Sequence, residues 1–333
     1  MKIQGQHYRT IRVKENDRST IQIIDQRTLP FIFKIVDLKT PEDVYLAIKD
    51  MAVMGAPLIG ITAAWGIYLA LKGYKGKNPG EYIKEKASYL KSARPTAINP
   101  QFTIDTILKF ILTEEFSPDL IEKTFYKIKK LEEDEVNCSA RIGDFGLTLI
   151  EDIYKQKGKR VNILTHCNAG WLASIDWGTA TAPIYKAHLR GIPMHIWVDE
   201  TRPRNQGSRL TAFELGEEGI PHTVITDNSG GHLMQHALVD LVIAGSDRTA
   251  LSGDTANKIG TYLKALAAND NNIPFYIALP SSSIDWHIED SFNEIPIEER
   301  SQEEVAYVEG WNGKKIEKVQ IVPANCKTAN FGF

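Results

Sequence analysis

Residues 161–200 read VNILTHCNAGWLASIDWGTATAPIYKAHLRGIPMHIWVDE, and the fold is decided there. VNILTHC (161–167) is a short apolar run that ends in polar side chains, the mark of a buried strand. GTATAPIYKAHLRG (178–191) has apolar residues at helical spacing and closes on Gly191. PMHIWVDE (193–200) is a second strand. Further on, RLTAFELGEEG (209–219) predicts a helix, HTVITD (222–227) a strand and HLMQHAL (232–238) a short helix. LVDLVIAGS (238–246) predicts a strand, KIGTYLKALAAND (258–270) a helix and PFYIALP (274–280) a strand. Short strands alternating with amphipathic helices make right-handed βαβ units and a parallel sheet. The expected fold class is α/β: a C-terminal Rossmann-like parallel sheet with helices on both faces, beside a smaller, largely helical N-terminal α/β domain.

Toward the N-terminus, HYRTIRV (7–13) and TIQIIDQ (20–26) alternate like strands. Helical stretches follow at Pro41–Met51, Pro57–Gly73, Gly80–Ser92 and Thr103–Leu112. Residues 117–157 carry Lys and Glu at helical spacing and read as one or two solvated helices joining two domains. The expected division is 1–125, a linking helix at 126–158, and a catalytic domain at 159–333. Met51 to Leu71 holds no charge, but Gly55 and Pro57 look like a helix start within it. That leaves a span short for a bilayer and typical of a buried helix, and no membrane is expected.

The 333 residues suffice for two domains with proper cores. A net charge of −3 gives no basic stripe for nucleic acid. Three scattered cysteines without a CxxC pair suggest neither a disulfide framework nor zinc, and fit a reducing, cytoplasmic setting. There is no GxGxxG or GxxxxGK[ST], so neither a dinucleotide nor a nucleoside triphosphate is indicated, and no cofactor is expected.

In parallel sheets ligands bind outside the carboxyl ends of the strands. Those ends carry Cys167-Asn168-Ala169-Gly170, Asp199-Glu200-Thr201-Arg202, Thr226-Asp227-Asn228, Ser246-Asp247-Arg248 and Pro280-Ser281-Ser282. Cys167 and Asp247 each follow an apolar strand, where burial keeps a carboxyl protonated toward neutral pH. A thiol there serves as base or nucleophile if a positive group favours thiolate; otherwise it is a small buried side chain. Gly55-Ala56-Pro57 opens a helix whose free N–H groups make a seat for phosphate, or simply a helix start. Arg94 in SARPTA, Lys258 and Asn257 in GDTANKIG, and Gln206 in ETRPRNQGSRL are candidate contacts for phosphate and sugar hydroxyls. His166 either orients a neighbour or fills space, and His232 and His236 lack a third metal ligand.

In order along the chain, MGAPLIG, SARPTA, ILTHCNAG, DETRPRNQG, ITDNSGG, GSDRTALSGD, NKIGTY, PFYIALPSSSID and IPIEER make the sequence similar to the methylthioribose-1-phosphate isomerases. The resemblance runs from about Ile24 to the C-terminus. It implies a homodimeric aldose–ketose isomerase of methionine salvage that needs no metal or nucleotide. Cys167 and Asp247 fall on the family's thiol and acid. Met54, Gly55, Ala56, Arg94, Gln206, Asn257 and Lys258 fall on its substrate-binding positions.

Two departures stand out. Met54 replaces the arginine that usually precedes GAP, so phosphate must lean on Arg94, Lys258 and backbone N–H groups. The family continues with a DVTPA-like stretch where this chain ends at Asn330–Phe333, so either the chain is shortened or its end is unusual. Related proteins include ribose-1,5-bisphosphate isomerases and non-enzymatic regulatory subunits of a translation-initiation exchange factor. Few basic groups (Arg94, Arg202, Arg248, Lys258) stand at the strand ends, while Trp171 and Trp177 offer an apolar wall or simply pack the core. The expected substrate is 5-methylthioribose 1-phosphate, with 5-deoxyribose 1-phosphate as the near alternative and ribose 1,5-bisphosphate disfavoured.

Overall fold

The computed structural model describes residues 1–76, 78–94 and 98–331. Near the N-terminus, β1 (Ile11–Lys14), β2 (Asp17–Ile24) and β3 (Ile35–Leu38) form an antiparallel sheet. Helix α1 (Pro41–Lys49) starts at a capping box, in which Thr40 and Asp43 each bond the other's backbone N–H. Helix α2 (Ala56–Gly73) is buried at every residue from Pro57 to Leu71, because α1, α3 (Gly80–Lys91), α4 (Ile98–Thr113) and α5 (Pro118–Lys157) surround it. A helix without a polar face needs such company. The stretch of membrane length is thus the centre of the N-terminal core.

Helix α5 is one rod of 40 residues, and it crosses the boundary expected at 125/126. It is also more than a solvated link. Leu120, Phe125 and Ile128 join the N-terminal core, whereas Leu147 and Ile150 join the core beneath the second sheet. The charge run hid this, since a buried stripe needs only every third or fourth residue.

After α5 come β4 (Val161–His166), α6 (Ala182–Leu189), β5 (Met194–Asp199), α7 (Ala212–Glu217), β6 (His222–Ile225) and α8 (Ser229–Gln235). Then follow β7 (Leu241–Ala244), α9 (Thr261–Asp270) and β8 (Phe275–Ile277). Among the described residues these strands make a five-stranded parallel sheet in the order β8-β7-β4-β5-β6. The central strand β4 is buried throughout. The chain winds to one side through β5 and β6 and to the other through β7 and β8, so its direction reverses between β4 and β7. Cys167 and Asp247 follow those two strands. Some expected bounds shift: α4 starts at Ile98 rather than Thr103, and α8 at Ser229 rather than His232. The chain finishes with the hairpin β9 (Tyr307–Trp311) and β10 (Ile316–Gln320).

The turn after β4 is built around one acid. Glu214 on α7 is fully buried and accepts Asn168 Nδ2 (3.0 Å) and the Leu172 N–H (2.9 Å) at Oε1. Its Oε2 accepts the Trp171 N–H (3.0 Å) and the Tyr185 hydroxyl (2.8 Å). Burial raises this carboxyl to about 7, against the pull of those donors. Glu214→Gln keeps the shape but turns an NH2 toward two donors. The expected loss is about 2–4 kcal/mol, the scale of buried polar groups left unpaired. Urea unfolding reads it, and an unchanged midpoint would show that the carboxyl does not hold this turn.

Candidate active site

A cleft at the β4–β7 reversal collects most of the residues singled out from sequence. Gly55, Ala56, Arg94, Cys167, Gln206, Asp247, Asn257 and Lys258 all line it. Met54 does not. It is buried behind the wall, where its sulfur accepts Gln206 Nε2 at 3.0 Å. The Pro95–Ala97 part of the SARPTA motif lies outside the described residues.

Cys167 has a left-handed backbone (φ 63°), an uncommon conformation for a side chain with a Cβ. Surrounding bonds hold it there. Its N–H donates to Thr201 Oγ1 (2.8 Å), and its carbonyl accepts the Thr211 hydroxyl (2.7 Å). Thr201 shares the left-handed conformation (φ 62°) and in turn donates to the Asp199 carbonyl. Strained residues over-determined in this way cluster at working sites. The thiol donates to Gln206 Oε1 at 3.2 Å. Gln206 is therefore a relay between Met54 and Cys167.

Burial pushes the Cys167 thiol up to about 11; the Lys258 charge opposes that rise and Asp247 adds to it. Asp247 is also raised, by burial first, with Lys258 and Arg94 opposing and Glu298 reinforcing. Burial thus shifts both acids of the cleft toward their protonated forms.

Gly55 precedes the first turn of α2 at φ 90°, and a Cβ there would stand 2.3 Å from the Ala173 carbonyl oxygen. Only glycine fits. No side chain caps the start of α2, where Gly55, Ala56 and Pro57 line the cleft.

Other cations are placed otherwise than expected. Arg202 reaches the carbonyls of Pro203 and Val305, and Arg248 pairs with Asp285 at 3.4 Å. Two arginines that drew no attention in the sequence line the cleft instead: Arg204 and Arg300. They form a chain with Arg94 and two carboxylates. Arg94 bonds Glu298 (2.9 Å), Glu298 bonds Arg300 (3.0 Å), and Arg300 bonds Glu304 (2.7 Å). Glu304 then bonds Arg204 (2.9 Å) and accepts Asn330 Nδ2 (3.0 Å). Burial works against the Glu304 charge, but Arg300 and Arg204 bring its carboxyl down to about 2. The clue was IPIEER, whose role no local pattern reveals.

The tryptophan wall is a correction. Trp171 is fully buried in the core under the sheet, and Trp177 packs between the two cores beneath the Lys186 ammonium. The apolar lining comes from Met51, Ala56, Pro57, Ile59, Ala173, Ala278 and Pro280. A Trp in a strand-end loop close to two helices buries more surface inward than it does in a polar cleft.

One group of metal-type donors lies beside the cleft, with His166, Asp199 and Asp227 atoms within 4.8 Å of one another. The Lys264 ammonium is bonded to Asp199 (2.9 Å) and to the Asp227 carbonyl (2.6 Å), so a protein cation already serves this group. His232 on α8 and His236 just after it have ring centroids 4.1 Å apart, tilted at 42°.

Residues 52–331 match the Initiation factor 2 subunit family. Over 335 residues the chain is 53% identical to the methylthioribose-1-phosphate isomerase of Desulfatibacillum aliphaticivorans, covering 100% of this chain and 91% of that one. It is 52% identical to the protein of the same name from Desulfosudis oleivorans, covering 96% and 87%. The crystal structure of 5-methylthioribose 1-phosphate isomerase from Pyrococcus horikoshii OT3 superposes with a TM-score of 0.84 at 35% identity, over 98% of this chain and 87% of that one. A structure described as translation initiation factor eIF-2B, subunit delta, from A. fulgidus gives 0.78 at 36% identity, over 98% and 90%.

The two raised acids fix an expected reactivity. At pH 8 iodoacetamide should label exposed Cys326 well before Cys167, with Cys167 labelling accelerating only as the pH approaches 11. Peptide mass mapping reads the order, and prompt labelling of Cys167 at pH 7 would mean a thiolate instead.

Proposed function

Because the chain belongs to the Initiation factor 2 subunit family and, within it, to the methylthioribose-1-phosphate isomerases, we propose that it converts 5-methylthioribose 1-phosphate to 5-methylthioribulose 1-phosphate. The observation that carries this is that Cys167 and Asp247 follow the two strands at the sheet's reversal and line one cleft with Lys258. A regulatory-subunit role would leave that pair without a task.

The substrate sets the chemical problem. Its anomeric oxygen is esterified, so the ring does not open by itself to an aldehyde. In this reading a protonated Asp247 gives its proton to the ring oxygen as the bond from that oxygen to C1 breaks. The carboxylate that results is stabilised by Lys258. Hydrogen then passes from C2 to C1 while the C2 hydroxyl loses its proton, which restores the acid and leaves the ketone at C2. A thiol raised to about 11 is a poor proton acceptor at rest, which favours hydride passage, with Cys167 shielding and orienting C2. The phosphate takes the start of α2, Arg94 and Lys258, and Gln206 and Asn257 meet sugar hydroxyls. The C5 methylthio group lies against the apolar lining. A 5-deoxy methyl makes less of that apolar contact than a methylthio group, so 5-deoxyribose 1-phosphate is accepted as a weaker substrate.

The homodimer and the cytoplasmic setting belong to the same proposal. Ile259, Tyr262, Leu263 and Leu266 lie exposed on and just before α9, an apolar face suited to a second copy. Light scattering at a dimer mass is the expected result.

Asp247→Asn should lower turnover at least ~100-fold, the scale of a positioned acid, and Cys167→Ser should lower it by loosening how C2 is oriented, with the fold intact by circular dichroism in both. Near-normal turnover in either variant removes that residue from the reaction. Substrate deuterated at C2 should keep its label at C1 of the product in ordinary water. Washout into solvent, seen by NMR, would instead establish proton transfer.

A further inference from the structure

Behind the ends of β4 and β5 sits a buried polar cluster with no part in the chemistry above. His166, the last residue of β4, is 1% exposed. Its Nδ1 lies 2.8 Å from Asp199 Oδ2, and its Nε2 lies 2.8 Å from the Ile259 carbonyl oxygen. Asp199 Oδ2 also takes the Lys264 ammonium at 2.9 Å. A carboxylate and a carbonyl can only accept. Both ring nitrogens must then donate, and only the imidazolium has two N–H groups. A neutral ring donating to Asp199 would set a nitrogen lone pair against the Ile259 carbonyl.

The carbonyl that is clamped belongs to the turn that delivers the cleft's cation. Ile259 follows Asn257 and Lys258, which line the cleft, and precedes Gly260 (φ 105°). The turn is tightened from the other side by Thr261, whose N–H (3.1 Å) and hydroxyl (2.7 Å) both donate to the Lys258 carbonyl. Asn257 Nδ2 bonds the same hydroxyl at 3.0 Å. Gly260 lies flat on the imidazole, since a Cβ there would stand 3.1 Å from ring atoms Cε1 and Nε2. The turn thus rests on His166, and its side chains reach past it into the cleft.

We infer that His166 is a positioning residue, a buried imidazolium that clamps the Ile259 carbonyl and thereby holds Asn257 and Lys258 where substrate meets them. The charged groups around the ring are Asp199 from β5, Lys264 from α9 and the Asp227 carboxylate, whose oxygen lies within 4.8 Å of the His166 and Asp199 atoms, with the Cys167–Asp247 pair on the cleft side. The Asp227 carboxylate also accepts the Thr201 and Arg202 N–H groups, so it is held in place beside the ring. The role of Lys258 toward phosphate rests on the function proposed above; the clamp does not.

Two measurements on the full chain test this. With 15N-labelled histidine, His166 should show two exchange-protected N–H protons and imidazolium nitrogen shifts at pH 7.5. A neutral ring with one N–H would overturn the proposal, whatever any variant does. In kinetics, His166→Gln can donate to one of the two acceptors but not both. KM for 5-methylthioribose 1-phosphate should rise about tenfold, as for one lost charge-assisted bond, with kcat changing far less. Lys258→Ala should raise KM as well, and adding His166→Gln to it should raise KM much less than tenfold, because the clamp acts largely through Lys258 and only the share carried by Asn257 is left to lose. Multiplying effects in the double variant would show that His166 acts by another route. Should the parent chain fail to turn over this substrate, the functional reading falls. Calorimetric titration with inorganic phosphate then replaces KM in the same cycle, and the clamp is judged by it and by the ring spectrum.

Discussion

The carboxyl of Glu214 beneath the turn after β4 is the contact on which both halves of the cleft depend. It gathers one side-chain amide, two backbone N–H groups and a phenol, fixing the chain from Asn168 to Leu172. Cys167 enters that turn, and Ala173 leaves it pressed against Gly55 at the start of α2. The N-terminal unit grips the same segment, as Gln26 donates to the Leu172 carbonyl at 2.7 Å and the Thr10 N–H to that of Ile175 at 3.2 Å. One buried acid therefore sets the distance between the thiol on the sheet and the start of α2. An unpaired carboxyl at such depth would be expensive, so the arrangement tolerates little rearrangement.

Around that fixed turn the cleft sorts its charges by depth. Cys167 and Asp247, in the crevice, are both shifted toward their neutral forms because little water reaches them. Glu304, also partly buried, stays ionised because two arginines bond it directly. The difference is proximity. A hydrogen-bonded guanidinium outweighs desolvation, whereas Lys258 and Arg94 only moderate the effect of burial on Asp247. The result is an acid able to give a proton, next to cations able to hold an anion.

The fold itself does not choose between catalysis and regulation. Similar coordinates belong to an isomerase and to a protein described as an initiation-factor subunit. Function resides in what the strand ends carry. Here those ends bear a thiol, an acid and a lysine around one cleft, with the helix start of α2 opposite.

The sequence by itself determined the alternation of strands and helices, the buried character of α2 and the row of polar residues at the strand ends. Periodicity and strand termination are local, so Cys167, Asp247 and Lys258 could be placed at one edge before any coordinate was known. Their neighbours could not. Glu298, Arg300 and Glu304 reach the cleft from the C-terminal segment, Arg204 from the loop after β5, and Met54 turns its sulfur toward Gln206 and away from the cleft. For Trp171 and Trp177 the sequence left an apolar wall and core packing both open, and they fill space between layers whose separation only packing fixes. His166 shows the division most plainly. Its position at the end of a strand was legible, whereas its two acceptors lie 33 and 93 residues away in the chain. Hydrogen bonds across such separations are specified by how strands and helices stack, and no local pattern encodes them.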